Sequence, residues 1–268
     1  MKSRQALTVP IILPILIAAC STVPVTGRQQ FNIIPNSTML SMSFQQYDEF
    51  LQTHERSTNM AQTNLVKTVG RKIQRAVEDY FARNNMSGEL KGYAWEFNLV
   101  KSSEVNAWCM PGGKVVVYEG ILPVTRNEPG LAVVMGHEIA HAVADHGNER
   151  MSQGLIAQLG GLALDKALEQ KPEKTRELWM TAFGVGAQIG VLLPYSRLQE
   201  SEADHLGLIF MAMAGYDPNE AVWFWRRMAN QQSGAAPPEF LSTHPSDESR
   251  IEAIKKAIPE AMKYYKKG

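Results

Sequence analysis

The sequence predicts an α+β fold, mainly helical, with a small β-sheet set beside one central helix. Three observations carry that prediction. Apolar residues recur every four positions across the segment 61–82. Three short alternating or β-branched runs follow between Trp95 and Tyr118, and from Pro129 onward the pattern is almost wholly helical.

At 268 residues the chain has room for one catalytic domain with a sizeable core. Lysine plus arginine equals aspartate plus glutamate, 27 against 27, so no global charge points to nucleic acid or to an anionic surface. At the start of the chain, Lys2 and Arg4 precede a largely apolar run from Ala6 to Ala19, the layout of a secretory signal peptide. Pro10 and Pro14 interrupt the run, and it is too short for a membrane span. It ends in Ile17-Ala18-Ala19-Cys20, which resembles a bacterial lipobox. The resemblance implies cleavage before Cys20 and lipid attachment to it, so that acyl chains anchor the protein by apolar burial. Ser21 in place of aspartate favours, by the same analogy, the periplasmic face of the outer membrane. The expected division is therefore a signal peptide over 1–19, a lipidated extended tether over 20–36 with Pro24, Gly27 and Pro35, and a catalytic domain over 37–268. Cys109, the only other cysteine, is expected as a small buried hydrophobe.

Helices are expected over 38–56 and 61–82, the second with Leu65, Val69, Ile73, Val77 and Phe81 along one face. Asn84 to Gly88 punctuate a turn. Alternation at Trp95, Phe97 and Leu99 reads as a strand, Val105 to Trp108 as a second, and Lys114 to Tyr118, after Pro111-Gly112-Gly113, as a third. Two later stretches, Gly154 to Leu164 and Ala182 to Leu193, are rich in glycine, alanine and aliphatics and too short to span a bilayer. They are expected as buried core helices, with a hairpin that touches a membrane or covers the site as the alternative.

The chemistry sits in Gly136-His137-Glu138-Ile139-Ala140-His141, inside an alanine-rich apolar helix. Residues four apart share a helix face, so His137 and His141 aim their imidazoles at one point. Two neutral imidazoles suit Zn²⁺, and Glu138 is placed to take a proton from water at the metal. Catalytic zinc takes three protein ligands, so one more is required. A third histidine in the metzincin pattern fails, because Gly147 and Ala144 stand at its positions and His146 is one residue short. A later segment, Gln199-Glu200-Ser201-Glu202-Ala203-Asp204, offers two glutamates. Glu200 and Asp204 are four apart and share a face, which suits a ligand and a carboxylate that orients a ligand imidazole. Glu200 is expected as the third ligand, Asp204 as its supporting carboxylate and Glu202 as the fallback.

The chain resembles the membrane-associated gluzincins, the family that includes the CAAX prenyl protease, the heat-shock protease HtpX, the mitochondrial Oma-type protease and periplasmic bacterial relatives. The segments Val25-Thr26-Gly27-Arg28, Val105-Asn106-Ala107-Trp108 through Pro111-Gly112-Gly113, His137 to His141, Ser196-Arg197 with Glu200 to Asp204, and Thr243-His244-Pro245 with Arg250 carry the resemblance, in the family's order. It implies a gluzincin fold and a zinc endopeptidase, one Zn²⁺ per chain, acting on unfolded or misassembled envelope polypeptides. It supports Glu200 as ligand, and it makes Asn106, Ala107 and Trp108 an edge strand that pairs with extended substrate. Trp108 and Cys109 stand where many relatives carry phenylalanine and alanine, a departure that bears on the substrate pocket. His244 has two readings: a donor to the oxyanion formed on peptide attack, or a fourth metal ligand that holds the enzyme inactive. Arg197 and Arg250 are lesser candidates, each able to pair with a surface acid, and His54, His146 and His205 are expected to be ordinary. The competing functions are a zinc-stabilised lipoprotein chaperone without turnover, which Glu138 argues against, and a zinc hydrolase of small amides or cell-wall peptides.

Overall fold

In the computed structural model, residues 20–23, 26–171, 173–188, 193–231 and 238–265 are described. The expected leader over 1–19 lies outside them. The segment expected as an extended tether instead folds back on itself. Cys20–Thr22 (β1) and Gln29–Phe31 (β2) pair antiparallel, Cys20 opposite Phe31. Gly27 turns the chain at φ 70°, and Val23 is buried in the main core.

Asn36–Thr53 forms α1 and Met60–Arg83 forms α2. Asn59 caps α2 by accepting from the Gln62 amide. Val69, Ile73, Val77 and Phe81 are wholly buried, so the predicted stripe is the face α2 gives to the core.

Glu96–Val100 (β3), Ala107–Met110 (β4) and Lys114–Tyr118 (β5) form a sheet in the order β3-β5-β4. β3 runs parallel to β5 and β4 antiparallel to it, so β4 is an edge. The second strand begins later than expected. Its ladder runs from Ala107 opposite Val117 to Met110 opposite Lys114, leaving Val105 and Asn106 ahead of it. The partner strand sets that register: the Asn106 carbonyl takes the Tyr118 amide at 3.1 Å where β5 ends. Strand alternation then sends Ala107 into the main core and Trp108 to the opposite face, against Phe50 of α1 at 4.9 Å between ring centroids.

After a short helix, Leu122–Thr125 (α3), the central helix α4 spans Glu128–Val143, capped by Asn127 accepting from the Gly130 amide. Every residue of α4 from Gly130 to Val143 is buried, which is why its sequence is apolar on all sides. His146–Ala167 (α5) and Glu173–Ala187 (α6) follow. Among the described residues of these two helices the expected core burial fails. Leu159, Leu162 and Val185 are each more than half exposed, at 60%, 61% and 52%, while 189–192 of the second stretch lie outside the described residues. α5 and α6 pack on each other, Phe183 against Gly160, and a two-helix contact cannot cover apolar residues placed all around both. No helix among the described residues is long and apolar enough to cross a membrane.

The chain closes with Leu193–Met213 (α7), Glu220–Asn230 (α8), Glu239–Thr243 (α9) and Glu248–Ala261 (α10). α7 packs on α4 at a pair of glycines: a Cβ on Gly207 would stand 2.9 Å from the His137 amide nitrogen, and one on Gly136 3.0 Å from the Gly207 carbonyl oxygen. Those two glycines let the helices touch backbone to backbone.

Candidate metal centre

The helical period of α4 brings His137 and His141 to one face, with ring centroids 4.6 Å apart and Nε2 atoms 3.0 Å apart. α7, held close by the glycine contact, delivers Glu200 to the same point. Its Oε2 is 3.3 Å from His137 Nε2 and its Oε1 3.2 Å from His141 Nε2. His244 ends α9, anchored by its amide on the Phe240 carbonyl and by its ring against the Phe240 ring. Its Nδ1 lies 2.9 Å from Glu200 Oε2 and 3.1 Å from His137 Nε2. All four residues are buried, and each offers one donor atom to a common centre.

The donor set fits zinc on geometry as well as chemistry. Donor atoms of the cluster stand 2.9–3.3 Å from their neighbours, a spacing that suits ligands sharing one ion at the ~2.0–2.1 Å of zinc–nitrogen and zinc–oxygen bonds. Three imidazoles and one carboxylate are ligands that Zn²⁺ prefers. Burial pushes the Glu200 carboxyl up, but the imidazoles of His137, His141 and His244 hold it far below the carboxylate range, so it stays an anion. Burial pushes His141 well down, which keeps the ring neutral and leaves one of its nitrogens bare. His137 is pushed down by burial too, yet Asp204 and Glu200 carry it up to about 9. Glu138 is buried beside the cluster, its Oε1 without a hydrogen bond and 3.4 Å from His244 Nε2. Burial raises its pKa, against the pull of His244 and His137.

Each of the two helix histidines is backed by its own chain of polar groups. His137 Nδ1 lies 3.0 Å from Asp204 Oδ1. Arg250 grips that carboxylate with two bonds of 2.8 Å, reaches Glu200 with Nη1 at 3.2 Å and lies 3.5 Å above the Trp225 ring. Of the two arginines held as lesser candidates, Arg250 is the one at the site, its side chain buried against two site carboxylates where a pairing with a surface acid was the alternative. His141 Nδ1 is 2.7 Å from His146 Nδ1, whose Nε2 is 3.0 Å from Glu202 Oε2. His146, expected to be ordinary, is fully buried in this relay. Asp145 at φ 56° reverses the chain between α4 and α5 and so brings His146 back to His141. Only that non-glycine left-handed residue could have signalled the return, and its conformation is invisible in sequence.

The other candidates separate cleanly. Glu202 points away from the cluster, toward His146 and Arg28. Arg197 is exposed; His54 stacks on Phe50 at 3.8 Å; His205 faces Glu260 at 3.2 Å, away from the cluster. Of the strand trio, Ala107 lies on the β4 edge, Asn106 precedes the ladder and Trp108 is turned toward α1. Cys109, half-buried, shares the α4 side of the strand, where burial and the Glu138 charge push its thiol well up.

The sequence profile of peptidase family M48 matches residues 68–258, nearly three-quarters of the chain. The chain belongs to peptidase family M48. It is 35% identical over 246 residues to the mitochondrial metalloendopeptidase OMA1 of Schizosaccharomyces pombe, covering 90% of this chain and 67% of that protein. It is 28% identical over 245 residues to metalloendopeptidase OMA1 of Homo sapiens, covering 90% and 46%. To the β-barrel assembly-enhancing protease of Escherichia coli it is 30% identical over 165 residues, covering 59% and 33%. The chain thus spans between a third and two-thirds of the length of these relatives. The M48 domain here is a zinc metalloendopeptidase domain, and the His137, His141, Glu200 and His244 cluster is able to bind the metal.

Proposed function

We propose that the protein is a zinc-dependent endopeptidase of a bacterial cell envelope that hydrolyses unfolded or misassembled envelope polypeptides. The observation that carries this is the convergence of four buried donors on one point with Glu138 alongside. Zinc, when bound, supplies a Lewis acid for the scissile carbonyl and lowers the pKa of water. His137, His141 and Glu200 hold it. Glu138 takes the proton from the attacking water and passes it to the leaving amine. Asp204 fixes the His137 ring, and β4, at the end of the strand order, offers the backbone groups of its outer edge to an extended substrate.

His244 supports a self-inhibited resting state. Its Nδ1 fills the fourth corner of the cluster, the position that water occupies in an active site. Its place at the end of a five-residue helix ties withdrawal to a motion of α9, which would lift Phe240 from its ring contacts with Phe224 and Trp225.

The envelope assignment rests on the signal-peptide layout and on Cys20 as a lipid acceptor, with the outer membrane favoured by Ser21. The E. coli relative's name, which ties it to β-barrel assembly, supports substrates of the same kind here. Casein cleavage by wild type, Glu138→Gln and His244→Ala, with zinc content measured on each, tests the proposal. Cleavage lost in Glu138→Gln and raised in His244→Ala supports both parts. Loss in His244→Ala makes that histidine an oxyanion donor instead, and zinc-loaded protein that cleaves nothing in any form favours a chaperone. Mass analysis of Cys20 in membrane fractions tests the anchor.

A further inference from the structure

The relay behind His141 does not end inside the catalytic helices. Glu202 Oε2, which holds His146, also accepts from Arg28 Nε at 2.9 Å, and Thr26 Oγ1 donates to Glu202 Oε1. The other edge of the Arg28 guanidinium grips Glu149 with two bonds of 2.8 Å. Glu149 is completely buried and also accepts from Gln199, the neighbour of Glu200, at 2.8 Å. The N-terminal hairpin is fastened to α5 independently, by the Ile33 amide on Ser152 Oγ at 3.0 Å and by Asn148 Nδ2 on the Ile34 carbonyl at 2.8 Å. Arg28 is therefore a clamp from the start of the chain on two buried carboxylates, more than 120 positions away in sequence.

The proton directions agree with a metal-supporting role. His141 must present a bare Nε2 to the metal, so its Nδ1–H donates to His146 Nδ1. His146 then carries its proton on Nε2 and donates to the Glu202 carboxylate. That carboxylate is held in place by Arg28 and Thr26. His137 is served by a shorter version of the same device, Asp204 clamped by Arg250.

We propose that Arg28 is a positioning residue for the metal centre: through Glu202 and His146 its guanidinium fixes the tautomer and angle of His141, so that this side-chain contact, and not the docking of the hairpin as such, sets zinc affinity. This rests on the zinc endopeptidase reading above. Supporting residues of this kind change metal affinity by about 10–100-fold when removed.

The test is chelator competition for zinc on the full chain, with thermal melting of each metal-free protein as the fold control. Arg28→Gln is expected to bind zinc about 10–100-fold more weakly, and His146→Gln similarly. The double variant is expected to lose no more than the weaker single, because both cut one chain. Arg28→Lys is expected to recover part of the affinity, since it returns the charge but not the fork that spans two carboxylates. Asn148→Ala, which loosens the hairpin outside the relay, is expected to lower the melting temperature and leave zinc affinity alone. If Arg28→Gln does not fold, Glu202→Gln, which preserves shape, takes its place. Zinc affinity in Arg28→Gln or Glu202→Gln within about two-fold of wild type overturns the proposal, as does an equal loss in Asn148→Ala. Wild type that binds no zinc overturns the endopeptidase reading as well, whereas tight zinc in wild type and Arg28→Gln alike overturns this inference alone.

Discussion

Gly136 and Gly207 meet backbone to backbone, and that contact sets how close Glu200 and Asp204 come to His137 and His141. With a Cβ on Gly207 only 2.9 Å from the His137 amide nitrogen, Gly207→Ala must push α7 away from the helix that carries the motif. The relief cannot come from a flexible side chain, because the clashing atoms are backbone. Overpacking of this kind costs roughly 1–3 kcal/mol, and here it also spreads the donor atoms. Gly207→Ala is expected to melt at a lower temperature and to retain less zinc after dialysis. Wild-type zinc content in a destabilised variant would detach the glycine contact from the metal geometry.

Glu138 makes no ligand bond that its removal would break, so Glu138→Gln is expected to keep its zinc while turnover falls by about 10²–10⁴-fold. His137→Ala is expected to lose both. Because burial raises the Glu138 pKa and the base acts only when ionised, the acid limb of kcat/KM is expected above the ordinary glutamate range. Activity therefore falls as pH drops through that raised value. A limb at the pKa of a free glutamate would place the proton acceptor elsewhere.

Two spacings of four residues made the heart of the site legible in the sequence. His137 with His141, and Glu200 with Asp204, each need only the period of a single helix, and the structure puts each pair on one face. The buried stripe of α2 and the strand Lys114 to Tyr118 were legible for the same reason, since each is a local period. What depended on a tertiary return was not legible. His146 reaches His141 only because Asp145 adopts φ 56°, and Arg28 and Arg250 arrive from opposite ends of the described chain. The α5–α6 pair failed differently. Apolar composition says that a surface seeks cover and nothing about whether the fold provides it, and Leu159, Leu162 and Val185 remain exposed.

Arg250 forks onto Asp204 with two bonds of 2.8 Å, and both side chains are buried. Burial pushes the Asp204 carboxyl up, but Arg250 and His137 together hold it below the usual range. Arg250→Leu strands that buried charge, and breaking a buried pair from one side costs about 3–5 kcal/mol. Removing both members in Arg250→Leu with Asp204→Asn is expected to restore part of that stability without restoring zinc affinity, because His137 then loses its carboxylate. Urea denaturation of the two metal-free variants, with zinc titrations alongside, separates the effects. Equal stability of single and double variants would show that the ion pair is not the source of the loss.

Asp145 offers a test of electrostatics away from the donor atoms. Burial, with Glu89 nearby, raises its carboxyl to about 6. The folded protein then holds a proton that the unfolded chain, with an aspartate pKa of about 3.9, has already released between those two values. Stability relative to a neutral residue is fully present below pH ~4 and declines as pH rises through about 6, after which it is constant. An asparagine side chain at this position carries no such charge, and asparagine tolerates the left-handed backbone at φ 56° at least as well. Asp145→Asn is therefore expected to be more stable than wild type at pH 8, by on the order of 1–2 kcal/mol after discount for partial exposure. That advantage should shrink below pH 6 and vanish near pH 4. Denaturant melts of the metal-free proteins across pH 4–8, taken as the difference between variant and wild type, cancel every group the two share. A difference that stays flat with pH would mean that Asp145 is ionised at no cost in the fold, and that any gain in the variant comes from the backbone alone.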